Sequence, residues 1–237
     1  MTYTFSNTTC NSYRFQAVSR GLIPLSVLLM VGFVFLLSAA RVVAADDEKA
    51  SLKRGQQLYA ICSTCHGLNA HGKKDIQAPA LAGLSDWYII EQLKKFQNGQ
   101  RGAHPADTAG LLMRPMSRTL KNEKDVAAVA AYIASLKPVL PAATIEDGDA
   151  AKGQQLYVVC VACHGDKLQG NKDLKTAPLK YTNDWYQLAQ LKKYKAGIRG
   201  ADPSDMQALQ MKAIMGGVPD EQTMKNIIAY ISQMAKK

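Results

Sequence analysis

Two stretches of this chain, residues 53–137 and 151–235, are copies of one unit set 98 positions apart. Gly55-Gln56-Gln57-Leu58-Tyr59 recurs as Gly153-Gln154-Gln155-Leu156-Tyr157, and Asp86-Trp87-Tyr88 as Asp184-Trp185-Tyr186. Gln92-Leu93-Lys94-Lys95 recurs as Gln190-Leu191-Lys192-Lys193, Arg101-Gly102 as Arg199-Gly200, and Ala131-Tyr132-Ile133 as Ala229-Tyr230-Ile231. A small compensated insertion is expected where Ala78-Pro79 pairs with Ala177-Pro178 at an offset of 99, with register restored by Asp86. A period near 100 residues is too long for a solenoid and suits two small domains. Between them, Pro138-Val139-Leu140-Pro141-Ala142-Ala143-Thr144 carries two prolines and no charge, so it reads as an extended linker. The expected organisation is a leader over 1–45, a first domain over 46–137, a linker over 138–148 and a second domain over 149–237.

Each unit reads as helical. The spacing predicts helices over Lys49–Ile61, Asp86–Asn98 (stopped by Gly99) and Glu123–Leu136 (ending before Pro138). In the second copy they fall over Asp149–Val159, Asn183–Ala196 and Asp220–Met234. Strand-type alternation is not evident, and the intervening Gly, Pro, Asn and Lys residues read as loops. A domain of roughly 100 residues with three good helices has limited apolar area to bury. A large prosthetic group at its centre would relieve that shortage. The composition, 47% hydrophobic and 20% charged, excludes a collagen, a disordered tail or a coiled-coil rod.

The chain has five cysteines, too few for a disulfide scaffold, and four of them sit in the repeat. Cys62-Ser63-Thr64-Cys65-His66 and Cys160-Val161-Ala162-Cys163-His164 are both C-x-x-C-H, the attachment signature of c-type haem. Two thiols three positions apart at a helix end can each add to one vinyl group of a porphyrin. The histidine that follows then lies under the iron. A thioredoxin-type pair would need a βαβ pattern, and zinc knuckles a much shorter separation than the ~95 residues between these motifs. The expected cofactors are therefore two covalently bound haem c groups, held by Cys62, Cys65, Cys160 and Cys163 and ligated by His66 and His164.

The two units resemble class I cytochromes c, and their tandem arrangement resembles the dihaem cytochrome c4 group. The resemblance spans residues 46–237. It is carried by the doubled C-x-x-C-H, by Ala78-Pro79-Ala80-Leu81-Ala82-Gly83, and by Gly110-Leu111-Leu112-Met113 ahead of an Ala-rich helix with Tyr132. It implies an all-α fold of two tandem class I cytochrome c domains, each wrapped around one haem. It also implies a methionine thioether opposite each histidine. Only Met113 and Met211 coincide at the 98-residue offset, and they are the expected axial ligands, with Met116 and Met215 as the alternatives. His71 and His104 have no histidine in the other copy and read as exposed loop residues. The resemblance further implies that Pro79 and Pro178 supply the carbonyls that hold the two ligating imidazoles. It also implies that Gly55 lets the first helix cross the last closely, with Tyr132 and Tyr230 as aromatic partners. Trp87 and Trp185 read as core.

Two closed six-coordinate irons leave no position for a substrate. The expected function is electron transfer by a non-enzyme, between partners such as a membrane quinol-oxidising complex and a terminal oxidase or reductase. The alternatives are a cytochrome subunit of a dehydrogenase complex and a dihaem peroxidase. The segment 1–45 holds Arg14, Arg20 and Arg41 and no acid, an apolar run over 22–40, and small residues at Val43-Ala44-Ala45. That is the pattern of an export signal cleaved near Ala44 or Ala45, with a retained membrane anchor as the alternative. Both place the domains in the periplasm. The net charge of +10 falls to +7 without the leader's three arginines. It allows an acidic partner or an anionic surface. An exported haem protein has no nucleic acid to meet. Lys94, Lys95, Lys192 and Lys193 read first as solvated helix surface and second as a docking patch.

Overall fold

A computed structural model describes residues 47–237, which form one compact unit. The expected leader lies outside the described residues. No described helix is long and apolar enough to cross a membrane. The order of elements is α1 (47–66), α2 (Asp86–Asn98), α3 (Thr108–Ser117), α4 (Glu123–Ser135), α5 (Ala150–His164), α6 (Asp184–Lys195), α7 (Met206–Gly216) and α8 (Glu221–Ala235). The only extended pairing among the described residues is two isolated antiparallel bridges, Lys73 with Ala78 and Asn171 with Thr176.

Local chemistry sets these boundaries. Asn122 and Asp220 cap α4 and α8 by accepting from the amides of Asp125 and Thr223, which satisfies donors that a helix start leaves unpaired. Gly99 ends α2 in the left-handed conformation at φ 90°. Two of the expected boundaries move. α1 and α5 run past Ile61 and Val159 to residue 66 and His164, so each C-x-x-C-H lies inside the last helical turns. Each repeat also has a fourth helix, α3 or α7, where loop was expected. Gly110 and Pro115 within α3 and Gly216-Gly217 at the end of α7 weaken the helical signal there. Asp107 and Asp205 nevertheless cap both helices.

In each repeat the first helix crosses the last at a glycine. Tyr59 packs against Tyr132 and Tyr157 against Tyr230 in tilted pairs, each with ring centroids 5.5 Å apart. The first core gathers Tyr59, Ile89, Leu93, Val126, Val129 and Ile133. The second is smaller, with Tyr157, Leu168, Ile227, Ile231 and Ala235.

The repeats are tied to each other by polar contacts. Lys95 Nζ lies 2.6 Å from Asp205, and Lys193 Nζ lies 2.6 Å from Asp107. Arg101 donates to Tyr186 at 3.1 Å, and Arg101 and Arg199 both donate to the Gln190 side-chain oxygen. The amide of Ala80 donates to Asn183 at 2.7 Å. This corrects the surface reading for Lys95 and Lys193, while Lys94 and Lys192 do stay on the helix surface. Lys95 and Lys193 are tucked into the junction, and Lys94 and Lys192 pair with Glu123 and Glu221 of their own repeats.

Candidate haem sites

Both sites are built the same way. Gly67 and Gly165 follow the histidines at φ 83° and 82°, a left-handed turn that L side chains rarely adopt. The chain then folds back under the helix end. The amide of Gly72 donates to the His66 carbonyl and that of Gly170 to the His164 carbonyl, both at 2.9 Å. The hydroxyl of Tyr59 donates to the Gly67 carbonyl at 2.7 Å, and Tyr157 does the same to Gly165 at 3.2 Å.

This loop delivers a backbone carbonyl to each imidazole. His66 Nδ1 is 2.8 Å from the Pro79 oxygen, and His164 Nδ1 is 2.8 Å from the Ala177 oxygen. A carbonyl only accepts, so Nδ1 carries the proton and Nε2 keeps its lone pair. Burial holds both imidazoles below the usual histidine range, against the opposite pull of those carbonyls. Neutral imidazole with Nε2 free is the form that binds iron.

The second carbonyl corrects one expectation. Pro178 does not hold His164. Its own carbonyl accepts from the Thr182 hydroxyl, and Ala177 stands where Pro79 stands. The bridges and the turn hydrogen bonds keep an offset of 98 throughout this loop. No insertion is present in the fold. The shared Ala-Pro dipeptide is a coincidence of composition one position out of register.

All four motif cysteines are free. Burial pushes the Cys62 thiol up, and burial together with Cys163 pushes Cys160 up to about 11. A redox dithiol instead needs a low-pKa thiolate. Among the described residues no three or more His, Cys, Asp or Glu side chains converge as a metal cage. Paired, uncharged thiols beside a histidine fit thioether attachment of a porphyrin.

Other features fit a large apolar, anionic group. Leu68 is 80% exposed and Val158 68%, apolar surface beside both motifs with no protein cover. Arg101 and Arg199 each bury an Nε with no partner. Unpaired buried donors at equivalent places suit an anionic group such as a propionate.

Met113 is half-buried on α3 and packs with Cys62 against the first core. Met211 is half-buried at the matching place on α7. Met116 is half-buried, whereas Met215 is 2% exposed at the position of Ser117. His71 and His104 are exposed loop residues, the first beside the Lys137 carbonyl and the second accepting from the Ala106 amide. Trp87 and Trp185 are half-buried against Tyr88 and Tyr186. The sequence reading missed the junction residues Arg101, Arg199, Asp107 and Asp205. Their signal is the recurrence of both Arg-Gly and Lys/Asp at the same offset.

The family model of cytochrome c matches residues 52–137 and again 150–235. The thiosulfate dehydrogenase electron acceptor of Stutzerimonas stutzeri is 31% identical over 189 residues, 75% of this chain and 83% of that protein. Cytochrome c4 of Azotobacter vinelandii is 28% identical over 192 residues, 76% of this chain and 85% of its own. Among solved structures, thiosulfate dehydrogenase from Marichromatium purpuratum aligns with a TM-score of 0.62 at 32% identity, covering 76% of this chain and 40% of that longer one. The chain belongs to the cytochrome c family, as a dihaem electron carrier in which two tandem domains each bind one covalent haem c.

Proposed function

We propose that the protein carries single electrons outside the cytoplasm, from a quinol-oxidising complex or a dehydrogenase to a terminal oxidase or reductase. Haem c iron supplies reversible one-electron chemistry when bound. His66 and His164 bind it through Nε2, and the cysteine pairs at 62/65 and 160/163 tether the porphyrin. Met113 and Met211 would supply the second, thioether ligand of each iron. The carrying observation is the pair of histidines whose Nδ1 atoms are committed to carbonyls at the same 13-residue separation. Met113, like Cys62 and unlike Met116, packs against the first core, which supports Met113. The full burial of Met215 suits a core residue, and the register favours Met211.

A histidine and a methionine on each iron would leave no position for a substrate, which supports a carrier over an enzyme. The export reading rests on the leader pattern of residues 1–45. A dehydrogenase donor is the more specific reading, because a relative of matching extent is named as the electron acceptor of one.

Absorption spectroscopy of the holoprotein tests this reading. The reduced protein is expected to be low-spin and unchanged by carbon monoxide. Met113→Ala and Met211→Ala are each expected to remove about half of the weak near-infrared methionine-to-iron band of the oxidised protein. Rapid carbon monoxide binding at neutral pH, or an intact band in both variants, would overturn it. Peroxide turnover would select the peroxidase alternative. Faster reduction by a thiosulfate-oxidising dehydrogenase than by a quinol-oxidising complex would select the dehydrogenase donor.

A further inference from the structure

The ion pairs at the junction are exchanged. Lys95 on α2 of the first repeat reaches Asp205 of the second, and Lys193 on α6 of the second reaches Asp107 of the first. Each lysine is 98 positions from its counterpart, as is each aspartate, so one interaction occurs twice about an internal pseudo-twofold axis.

Each aspartate has a second duty. Asp107 Oδ1 accepts from the Gly110 amide at 3.0 Å and so caps α3. Asp205 Oδ1 accepts from the Ala208 amide at 3.1 Å and so caps α7. One carboxylate oxygen thus receives both the first turn of its own helix and the lysine of the other repeat. Gly110 leaves no slack in this arrangement, since a Cβ there would fall 2.1 Å from the Asp107 carboxylate. Six residues on, about 1.7 turns, the same helices carry Met113 and Met211.

We infer that Lys193 positions Met113 and Lys95 positions Met211, so that each repeat holds the thioether ligand of the other. This rests on the reading of those methionines as axial ligands. The side chains of Lys95 and Asp205 are 9% and 0% exposed, and those of Lys193 and Asp107 are 19% and 4% exposed. These are structural pairs, unlike Lys94–Glu123 and Lys192–Glu221, which stay on the surface within one repeat. The deeper pair is the one that holds α7. A chain that lost the second repeat would therefore keep the haem attachment residues of the first but lose the clamp on its methionine helix.

Crossed single-site variants of the holoprotein test this. In a Met211→Ala background the near-infrared band reports the first repeat alone, and in Met113→Ala the second alone. Lys193→Leu is expected to weaken the first-repeat band by at least half, or to abolish it at lower temperature, and to leave the second-repeat band unchanged. Lys95→Leu is expected to do the reverse, and Lys→Arg at either position to restore most of the loss. Two results would overturn the inference: no effect of Lys193→Leu on the first-repeat band, or equal effects of both lysine variants on one band, as general loosening would give. Hydrogen exchange keeps the test independent of the ligand reading. The Gly110 amide is expected to exchange at least tenfold faster in Lys193→Leu and the Ala208 amide in Lys95→Leu. Unchanged exchange counts against the anchor. An intact band in the Met→Ala backgrounds, with exchange altered as expected, counts against the methionine reading alone.

Discussion

Gly55 on α1 meets Ala128 on α4 so closely that a Cβ on the glycine would fall 2.1 Å from the Ala128 carbonyl oxygen and 2.7 Å from the Tyr132 Cβ. Gly153 meets Asn226 on α8 in the same way, at 1.9 Å. In both cases the obstacle is backbone, which cannot swing aside as a flexible side chain can. Gly55→Ala must therefore push α1 off α4 and disturb the Tyr59–Tyr132 contact. The expected cost is about 1–3 kcal/mol, the usual range for overpacking. Thermal melting checks it, with Gly216→Ala as the control. Nothing lies within 4 Å of a Cβ at Gly216, so that change is expected to be neutral or slightly stabilising.

That contact was expected before the fold, from the resemblance to class I cytochromes c and the recurrence of Gly55 and Tyr59 as Gly153 and Tyr157. So were the cysteine and histidine positions and the helices α2, α4, α6 and α8, whose ends carry ordinary stop and cap residues. The methionine helices were not. Their caps, Asp107 and Asp205, are plain, but Gly110 and Pro115 argue locally against helix, and tertiary contacts outweigh them. The carbonyl on His164 was misassigned because residue identity was followed where loop length governs. The fold preserves the 13-residue reach from histidine to carbonyl and lets the proline fall where it will. The junction had no local signal at all. Lys95 and Asp205 are 110 positions apart, and only the paired recurrence of both partners hints at an exchange.

Asp184 ties the linker to α6. It accepts from the Thr144 amide, from the Thr144 hydroxyl at 2.9 Å and from the Ile145 amide at 2.9 Å. Burial opposes its ionisation, but the Thr144 and Ile145 donors outweigh it and hold the carboxyl below the usual range. A depressed pKa means that the stabilisation is present above the ordinary carboxylate pKa of about 3.9 and is lost only as pH falls through the lower folded value. The linker is thus expected to resist limited proteolysis at pH 5 to 7. Asp184→Ala is expected to expose the chain near Thr144 to cleavage and to cost about 1–3 kcal/mol, since the three linker donors lose their acceptor. Cleavage mapping by mass spectrometry checks this, and an unchanged pattern would rule it out.

Arg101 crosses the junction with one of its terminal nitrogens. It lies 4.3 Å over the Phe96 ring and donates to Gln92 at 2.6 Å, to Tyr186 at 3.1 Å and to Gln190 at 3.4 Å. The Tyr186 bond joins a charged donor to a neutral hydroxyl, a class whose net worth is about 1.5–3 kcal/mol. A double-mutant cycle with Arg101→Met and Tyr186→Phe is expected to return a coupling near the lower end of that range. A coupling near zero would mean that the Tyr186 contact adds nothing and that the arginine acts through Phe96, Gln92 and Gln190 instead.

The exchanged pair at Asp107 predicts a pH signature. Burial favours the neutral acid there, but the hydrogen bond and charge of Lys193, the Gly110 amide and Arg101 together hold the carboxyl below its usual range. Asp107 therefore adds stability above about pH 4, and this is lost as pH falls through its depressed folded value. Lys193→Leu removes the largest of the favourable influences and leaves a buried carboxylate with a weaker set of partners. Its folded pKa must rise, so at neutral pH the variant bears the cost of an under-compensated charge, about 3–5 kcal/mol where a buried pair is broken from one side. Protonation relieves that cost. The gap in melting temperature between wild type and Lys193→Leu is accordingly expected to be widest near pH 7 and to narrow as pH drops toward 4. Adding Asp107→Asn to the variant should abolish the narrowing, because the group that titrates is then gone. Melting curves from pH 7 to pH 3.5 decide the matter. A gap that stays constant across that range would show that Lys193 acts by packing alone.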